Sequence, residues 1–365
     1  MNDFSSRASL ATPLHARTAE LCATNHWTVD EGFTVPAVYS SLREEQEALV
    51  TRVGMSDLSA RQCWLVEGPD AGAYLSWFSI TDVMRLEPGQ TARTLWCDDA
   101  GLVRGEGVIV RFATASFEVR TPVRDFAWIA DGARGFDVKV TNATGMRAAI
   151  GVRGPLTAAL AAASGLTGDA GGGSGGGSSR AAWRPAQVAL MRDATGDGLE
   201  LWTGADDGIV VWDRLWKAGA GLGVAAVGAE ALEALRIESA IPRAGVDWLP
   251  AQLARGPRDL RLPGDLGVGP DLTRRFNGAS ALAAQLQAGR PALVHLSADA
   301  PLSPGPVTVR NATLGTITSC CWSEARGAAF ALAWLDADAI KAGTKVTAPA
   351  KNGSVQAEVL RAVFS

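Results

Sequence analysis

Two acids stand in strands that would ordinarily exclude them, and both could do chemistry. In Leu95 to Phe112, LWCDDAGLVRGEGVIVRF, Glu106 lies between Gly105 and Gly107 in an otherwise apolar strand. Strand interiors disfavour both glycine and an unpaired acid, so this pattern points to a site. Bare backbone at the two glycines would let a flat ligand approach while Glu106 meets its polar edge. The second acid is Glu200 in the strand Leu199 to Trp202. Alternation puts Leu199 and Leu201 on one face and Glu200 with Trp202 on the other. A desolvated carboxylate can carry a proton, and one carboxylate can accept two adjacent N–H donors and so fix a planar ring.

Other reactive residues offer less. His15, His26 and His295 are the only histidines, and the five cysteines (Cys22, Cys63, Cys97, Cys320, Cys321) have no CxxC spacing. This excludes a zinc knuckle and a disulfide framework, leaves no histidine base for a cysteine nucleophile, and predicts no metal. Cys320 and Cys321 must face opposite sides of a strand. Asp206-Asp207 reads as a turn before a helix, while Tyr39 and Asp57 read either as pocket residues or as a core hydroxyl and a cap.

The elements that must position these acids follow from patterning. With 365 residues, 47% of them hydrophobic, the chain can bury a large core in two or three domains. A net charge of −4 without a basic block argues against nucleic acid. No window reaches the roughly 18 apolar residues of a membrane span, and MNDFSSRASL lacks a signal-peptide core, so the expected address is cytoplasmic. Thr12-Pro13 opens a helix over 14–24, and Ser41-x-x-Glu44 caps a second ending near Gly54. A strand over 63–67, a helix over 71–79, the Glu106 hairpin, a strand over 116–120 and a helix over 123–132 follow. A comparable run comes later, with strands over 187–192 and 199–202 and helices over 210–218 and 228–239. Between the two runs GGGSGGGSS reads as a flexible surface loop, and from Pro291 onward short strands and turns read as a small β-barrel.

Several segments together resemble the aminomethyltransferase (glycine cleavage T-protein) superfamily of tetrahydrofolate-dependent one-carbon transferases. They are Thr12-Pro13-Leu14, Val35-Pro36-Ala37-Val38-Tyr39-Ser40-Ser41, Gly54-Met55-Ser56-Asp57-Leu58-Ser59 and Val66-Glu67-Gly68-Pro69-Asp70-Ala71. Further on come Arg153-Gly154-Pro155, Phe276-Asn277-Gly278-Ala279-Ser280-Ala281-Leu282, and Gly315-Thr316-Ile317-Thr318-Ser319 followed by Ala331-Leu332-Ala333-Trp334. The resemblance covers nearly the whole chain. It implies an α+β, T-protein-like fold: a folate-binding region over 1–285, made of two interleaved αβ subdomains with a Gly/Ser loop at 169–180, and a C-terminal β-barrel over 286–365.

The resemblance also implies roles. Glu106 takes the place of the family's hairpin acid beside the reactive folate nitrogens and is the expected catalytic residue. Glu200 is the expected pterin clamp, and Trp202, Arg120, Tyr39 and Arg236 are the further expected contacts to tetrahydrofolate or 5,10-methylene-tetrahydrofolate. The chain departs from the glycine-cleavage pattern at Leu232, where an arginine is usual, and at Phe117-Glu118-Val119-Arg120, where the usual asparagine is absent; Arg120 could attract a carboxylate. GLVRGEG and Glu238-Ser239 are similar to the folate-dependent demethylase branch. The expected activity is therefore methyl or methylene transfer with a small O- or N-methylated compound or a biosynthetic intermediate as partner, without a carrier protein. A glycine-cleavage-type aminomethyltransferase is one alternative. The other, a non-catalytic folate-binding protein of the iron–sulfur maintenance type, would carry a cysteine motif where this chain reads Arg274-Arg275-Phe276-Asn277-Gly278-Ala279-Ser280.

Overall fold

A computed structural model describes residues 9–166, 178–183, 186–192, 198–285, 290–310, 312–336 and 341–364. Residues 167–177, most of the Gly/Ser loop, lie outside these, as does the turn Thr195-Gly196-Asp197.

The chain forms two sheets that are nested in sequence. A six-stranded sheet runs in the order Ser178–Trp183, Ala186–Arg192, Leu199–Gly204, Arg147–Arg153, Val53–Asp57, Val224–Ala226. A five-stranded sheet, Thr91–Cys97, Val103–Ala113, Ser116–Thr121, Gln62–Glu67, Lys139–Asn142, falls in sequence between two neighbouring strands of the first, Val53–Asp57 and Arg147–Arg153. This is the expected interleaving. A small three-stranded sheet (Leu10–Ala11, Phe33–Val38, His26–Asp30) precedes them.

Period-two patterning gives each large sheet two apolar faces, and helices cover one face of each. On the six-stranded sheet, Ile150, Val152, Leu199 and Leu201 pack with Leu160, Val211, Trp212 and Leu215 of the helices Thr157–Ala163 and Gly208–Gly219. On the five-stranded sheet, Trp64, Trp96, Phe117 and Val119 pack against the helices Ala71–Phe78 and Phe126–Gly132. The remaining faces meet each other through Leu58, Cys63, Ala149, Met191 and Trp202, with Val108 alongside. Glu106 and Glu200 both belong to these inner faces.

Element boundaries follow local chemistry. Ser41 Oγ accepts the Glu44 N–H at 3.3 Å and starts the helix Leu42–Thr51 as expected. The first helix stops at Leu21 rather than continuing to Thr24, because Cys22 leaves helical geometry at ψ 80°, and Asn25 at φ +51° then turns the chain into the strand His26–Asp30. The helix expected from Val123 begins at Phe126, since the Val123 N–H is held by Thr121 Oγ1 at 2.9 Å.

Six strands, Ala292–Ala298, Ala328–Leu335, Ala312–Ser323, Gly305–Val309, Lys345–Ala350 and Gly353–Ala362, close into the expected barrel around Val294, Leu296, Val307, Ile317, Ala333, Val346 and Val359. The helix Ala229–Glu238 packs on the strands Ala312–Ser323 and Ala328–Leu335. Gln46 adds a polar stitch, with Oε1 accepting the Glu324 N–H at 2.9 Å and Nε2 donating to the Trp322 carbonyl at 3.4 Å.

Candidate active site between the two sheets

Glu106 pairs across the hairpin with Leu95, so it shares the inner face with Arg93, Val108 and Arg120. Its side chain is 12% exposed and receives Arg93 Nη2 at 3.3 Å. Burial pushes its carboxyl above the ordinary range; Arg93 and the Ala244 amide only partly offset this, and the nearby carboxylate of Asp247 adds to it. Glu106 thus holds a proton more readily than a free glutamate.

The flanking glycines serve a different purpose from the expected one. A Cβ on Gly105 would stand 2.3 Å from the Trp96 indole, and one on Gly107 would stand 2.7 Å from the Arg120 carbonyl. The space above Gly105 is therefore filled by the protein's own tryptophan, on the face opposite Glu106, and no ligand approaches there. The glycines let Trp96 and the neighbouring strand come close, and only Glu106 itself faces inward.

Glu200 is 5% exposed and sits across from Gly151 on one side and Met191 on the other. Its Oε1 accepts from Arg61 Nη1 at 2.7 Å with Arg153 Nη2 at 3.7 Å, and its Oε2 accepts from Trp202 Nε1 at 3.3 Å. Burial alone would raise this carboxyl, but the two guanidinia outweigh it and hold Glu200 below the ordinary range, hence ionised. The Trp202 hydrogen bond follows from the i, i+2 spacing, which puts both side chains on one face.

Trp202 and Arg120 meet directly, with the Arg120 guanidinium 4.2 Å from the indole centroid. Arg120 Nε donates to Glu118 Oε1 at 2.6 Å, and Arg147 Nε donates to Glu118 Oε2 at 3.0 Å. Glu118 is fully buried; burial would raise its carboxyl, yet the two arginines keep it low. Arg120 and Trp202 line a cleft of about 350 Å³ together with Glu118, Arg147, Val188 and Thr203. A side-chain line therefore runs from Glu106 past Val108 and Arg120 to Trp202 and Glu200.

The other two expected contacts lie elsewhere. Tyr39 is 2% exposed with an unpartnered hydroxyl, and the groups that, with burial, push its hydroxyl far up are Asp57, Cys22 and Glu45. Asp57 accepts from Thr12 Oγ1 at 2.6 Å and the Ser59 N–H at 2.9 Å, a cap within the fold. Arg236 is tied to Glu233 and, at 2.7 Å, to Asp247, at the seam between the helix Ala229–Glu238 and the barrel. Cys320 and Cys321 face opposite ways, toward the Leu302 and Ala234 carbonyls, and among the described residues no cluster of acids, cysteines and histidines could hold a metal.

Several site neighbours escaped the sequence reading. Arg61 and Asp247 come from distant segments and carry no spacing signal; Arg93, two residues before Glu106's hairpin partner Leu95, and Glu118, two residues from Arg120 in one strand, did carry one. Glu45 is a further buried acid, raised mainly by burial, whose oxygens accept the N–H groups of Tyr39 (2.6 Å), Ser40 (3.2 Å) and Gly228 (2.7 Å). It ties the start of the helix carrying Arg236 to the Tyr39 strand, so a raised carboxyl in this molecule is not by itself a reactive one.

A buried ionised carboxylate beside a tryptophan, connected through Arg120 and Val108 to the strand of a second carboxylate of raised proton affinity, is an arrangement that can orient a planar ligand with adjacent N–H donors and exchange a proton with it. Each Glu200 oxygen takes one close donor, and a carboxylate offers about four acceptor positions, so this donor set fits a pterin. Comparison with known proteins agrees. Residues 11–252 match the GCVT N-terminal domain, and residues 292–365 the glycine cleavage T-protein C-terminal barrel domain. An aminomethyltransferase of Geobacillus thermodenitrificans is 30% identical over 226 residues, covering 59% of this chain and 60% of that protein. One from Moorella thermoacetica is 29% identical over 353 residues, covering 91% and 92%. The crystal structure of glycine cleavage system aminomethyltransferase T from Bartonella henselae shares the fold, with a TM-score of 0.82 over 97% of both chains at 21% identity.

The chain belongs to the glycine cleavage T-protein family. It is a transferase of one-carbon groups, and tetrahydrofolate is the family's cosubstrate. This disfavours the non-catalytic alternative. The expectation that no carrier protein takes part has no support from this membership, because T-proteins act on a lipoyl carrier. Among the described residues no helix is long and apolar enough to cross a membrane.

Proposed function

We propose that this chain transfers an aminomethyl-derived one-carbon unit to tetrahydrofolate, with Glu200 holding the pterin and Glu106 moving the proton. The carrying observation is the pair of buried carboxylates on the inner faces of the two sheets, Glu200 held by Arg61, Arg153 and the Trp202 N–H and Glu106 by Arg93 alone among charged side chains in hydrogen-bond reach. When bound, tetrahydrofolate supplies the nitrogens that accept the one-carbon unit. Arg61, Arg153 and Trp202 keep Glu200 charged and oriented. Val108, Met191 and Trp202 keep water from the interlayer. Glu106, with its raised proton affinity, gives or takes a proton at the heteroatom that releases the one-carbon unit. In this reading the folate site belongs to residues 1–285 and the barrel of 286–365 closes it from outside.

A second donor class, a small methylated compound, is favoured by one feature: the cleft that ends on Arg120 and Arg147 is of small-molecule size. Incubating the protein and tetrahydrofolate either with an aminomethylated lipoyl carrier or with a panel of methylated compounds, and reading methylene- and methyl-tetrahydrofolate by mass spectrometry, separates the two. Methylene-tetrahydrofolate from the carrier alone supports the first reading; product from a small compound alone replaces it with the second.

A further inference from the structure

The cleft of about 350 Å³ between the sheets has a wall unlike the surroundings of Glu106 and Glu200. That wall is a triad in which Glu118 Oε1 accepts from Arg120 Nε at 2.6 Å and Glu118 Oε2 from Arg147 Nε at 3.0 Å. Two guanidinia share one carboxylate, so the triad carries one positive charge in excess. Both arginines bind Glu118 through Nε, which fixes each guanidinium plane and leaves its terminal nitrogens to other partners. Arg120 is 5% exposed, stacks on Trp202 and directs Nη1 at the Met191 thioether at 2.8 Å, a weak acceptor. Arg147 lines the cleft with its side chain 32% exposed, and among the described residues no carboxylate or carbonyl oxygen accepts from its Nη1 or Nη2.

A guanidinium held in orientation, with an unused edge at the wall of a cavity of small-molecule size, fits a carboxylate, which two parallel N–H groups can hold at once. Leu65, Val188 and Ala189 supply apolar lining. Two further acids line the cleft, Glu67, which is exposed, and Asp207, which is half-buried. They oppose a second negative charge on a ligand. We infer that the cleft is a binding site for a small monocarboxylate with an apolar body: the Nη1–Nη2 edge of Arg147 holds the carboxylate, and the body lies against Leu65, Val188 and Ala189. Arg120 pairs with Val108, and Glu106 stands two residues further along the same face, so the cleft wall is continuous with the strand face that carries Glu106. Binding in the cleft is independent of the roles of Glu106 and Glu200. Only the step from ligand to one-carbon donor rests on the small-compound reading, and there it names the donor's class, a methylated carboxylic acid.

Calorimetric titration of the full-length protein with benzoate, its uncharged isostere benzamide and the dicarboxylate terephthalate tests the site. Benzoate is expected to bind, benzamide to bind about 10- to 100-fold more weakly for want of charged hydrogen bonds, and terephthalate more weakly than benzoate. Arg147→Lys keeps a charge beside Glu118 but lacks the paired edge, and should weaken benzoate about tenfold. Gly204 has an ordinary φ of −61°, alternates onto the face of Glu200 and Trp202 and lines the cleft, and a Cβ there meets nothing within 4 Å. Gly204→Leu should therefore keep the parent's melting temperature and abolish benzoate binding by filling the cleft. Equal affinity for benzoate and benzamide, no benzoate binding in the parent, or binding retained in Gly204→Leu overturns the inference. If Arg147→Lys does not fold, the benzamide comparison and Gly204→Leu decide. If benzoate binds as expected but no methylated carboxylic acid yields methyl- or methylene-tetrahydrofolate, the small-compound reading fails while the site stands, so the two failures are distinguishable.

Discussion

Glu106 and Glu200 are the same side chain at comparable depth in one interlayer, yet their surroundings drive them apart. Glu200 has two guanidinia and an indole N–H within reach and stays ionised. Glu106 has a single, half-exposed arginine at 3.3 Å, one amide and a like charge nearby, so burial prevails and its proton affinity is raised. In the proposed reading, one fold thereby makes from two glutamates an anchor and a proton carrier. Depth alone does not distinguish them; the number of cations does.

The largest effect expected from breaking this contrast is kinetic. Glu106→Gln should reduce single-turnover transfer by about 10²- to 10⁴-fold, the usual contribution of a positioned acid or base, while tetrahydrofolate still raises the melting temperature. Equal rates in the two proteins would refute the proton role. The next effect is structural: Glu118→Gln leaves Arg120 and Arg147 without their shared buried partner and should cost about 3–5 kcal/mol in denaturant unfolding. A loss under about 1 kcal/mol would mean the pair is compensated from the cleft. Glu200→Gln should remove most of the folate-induced stabilisation, about 2.7 kcal/mol at a hundredfold excess over Kd in the parent protein.

The smallest effect distinguishes the two acids by pH. Because Glu106 is raised, the folded state binds its proton more tightly than the unfolded chain does. Its contribution is full below the ordinary value of 4.5 and is lost as pH rises through the raised value. Glu106→Gln should therefore raise stability at neutral pH, with the gain vanishing below about pH 4.5. Glu200 is lowered, so its contribution is present above the ordinary value and is lost only as pH falls through the lowered one. Thermal melts of Glu106→Gln and the parent across pH check the first sign; a neutral-pH loss of stability would reverse it.

How much of this could be seen in the chain itself depends on the range of the interactions. The Glu200 and Trp202 facing, the Ser41 cap and the opposed cysteines follow from two- or three-residue spacings, which local geometry alone dictates. The glycines beside Glu106 were legible as special but not for the right reason, because their neighbour Trp96 lies across the hairpin on the opposite face. Arg61 was invisible, because it meets Glu200 only once distant strands are assembled, whereas Arg93 reaches Glu106 across the hairpin itself. Arg236 matched a motif, yet the motif does not reveal that its guanidinium binds Glu233 and Asp247.

The contrast is tested most directly by melting Glu200→Gln and Glu106→Gln side by side with and without saturating tetrahydrofolate. The anchor-and-carrier account predicts that the folate-induced rise is nearly abolished in the first and close to that of the parent in the second. A rise retained in both, or lost equally from both, would contradict it.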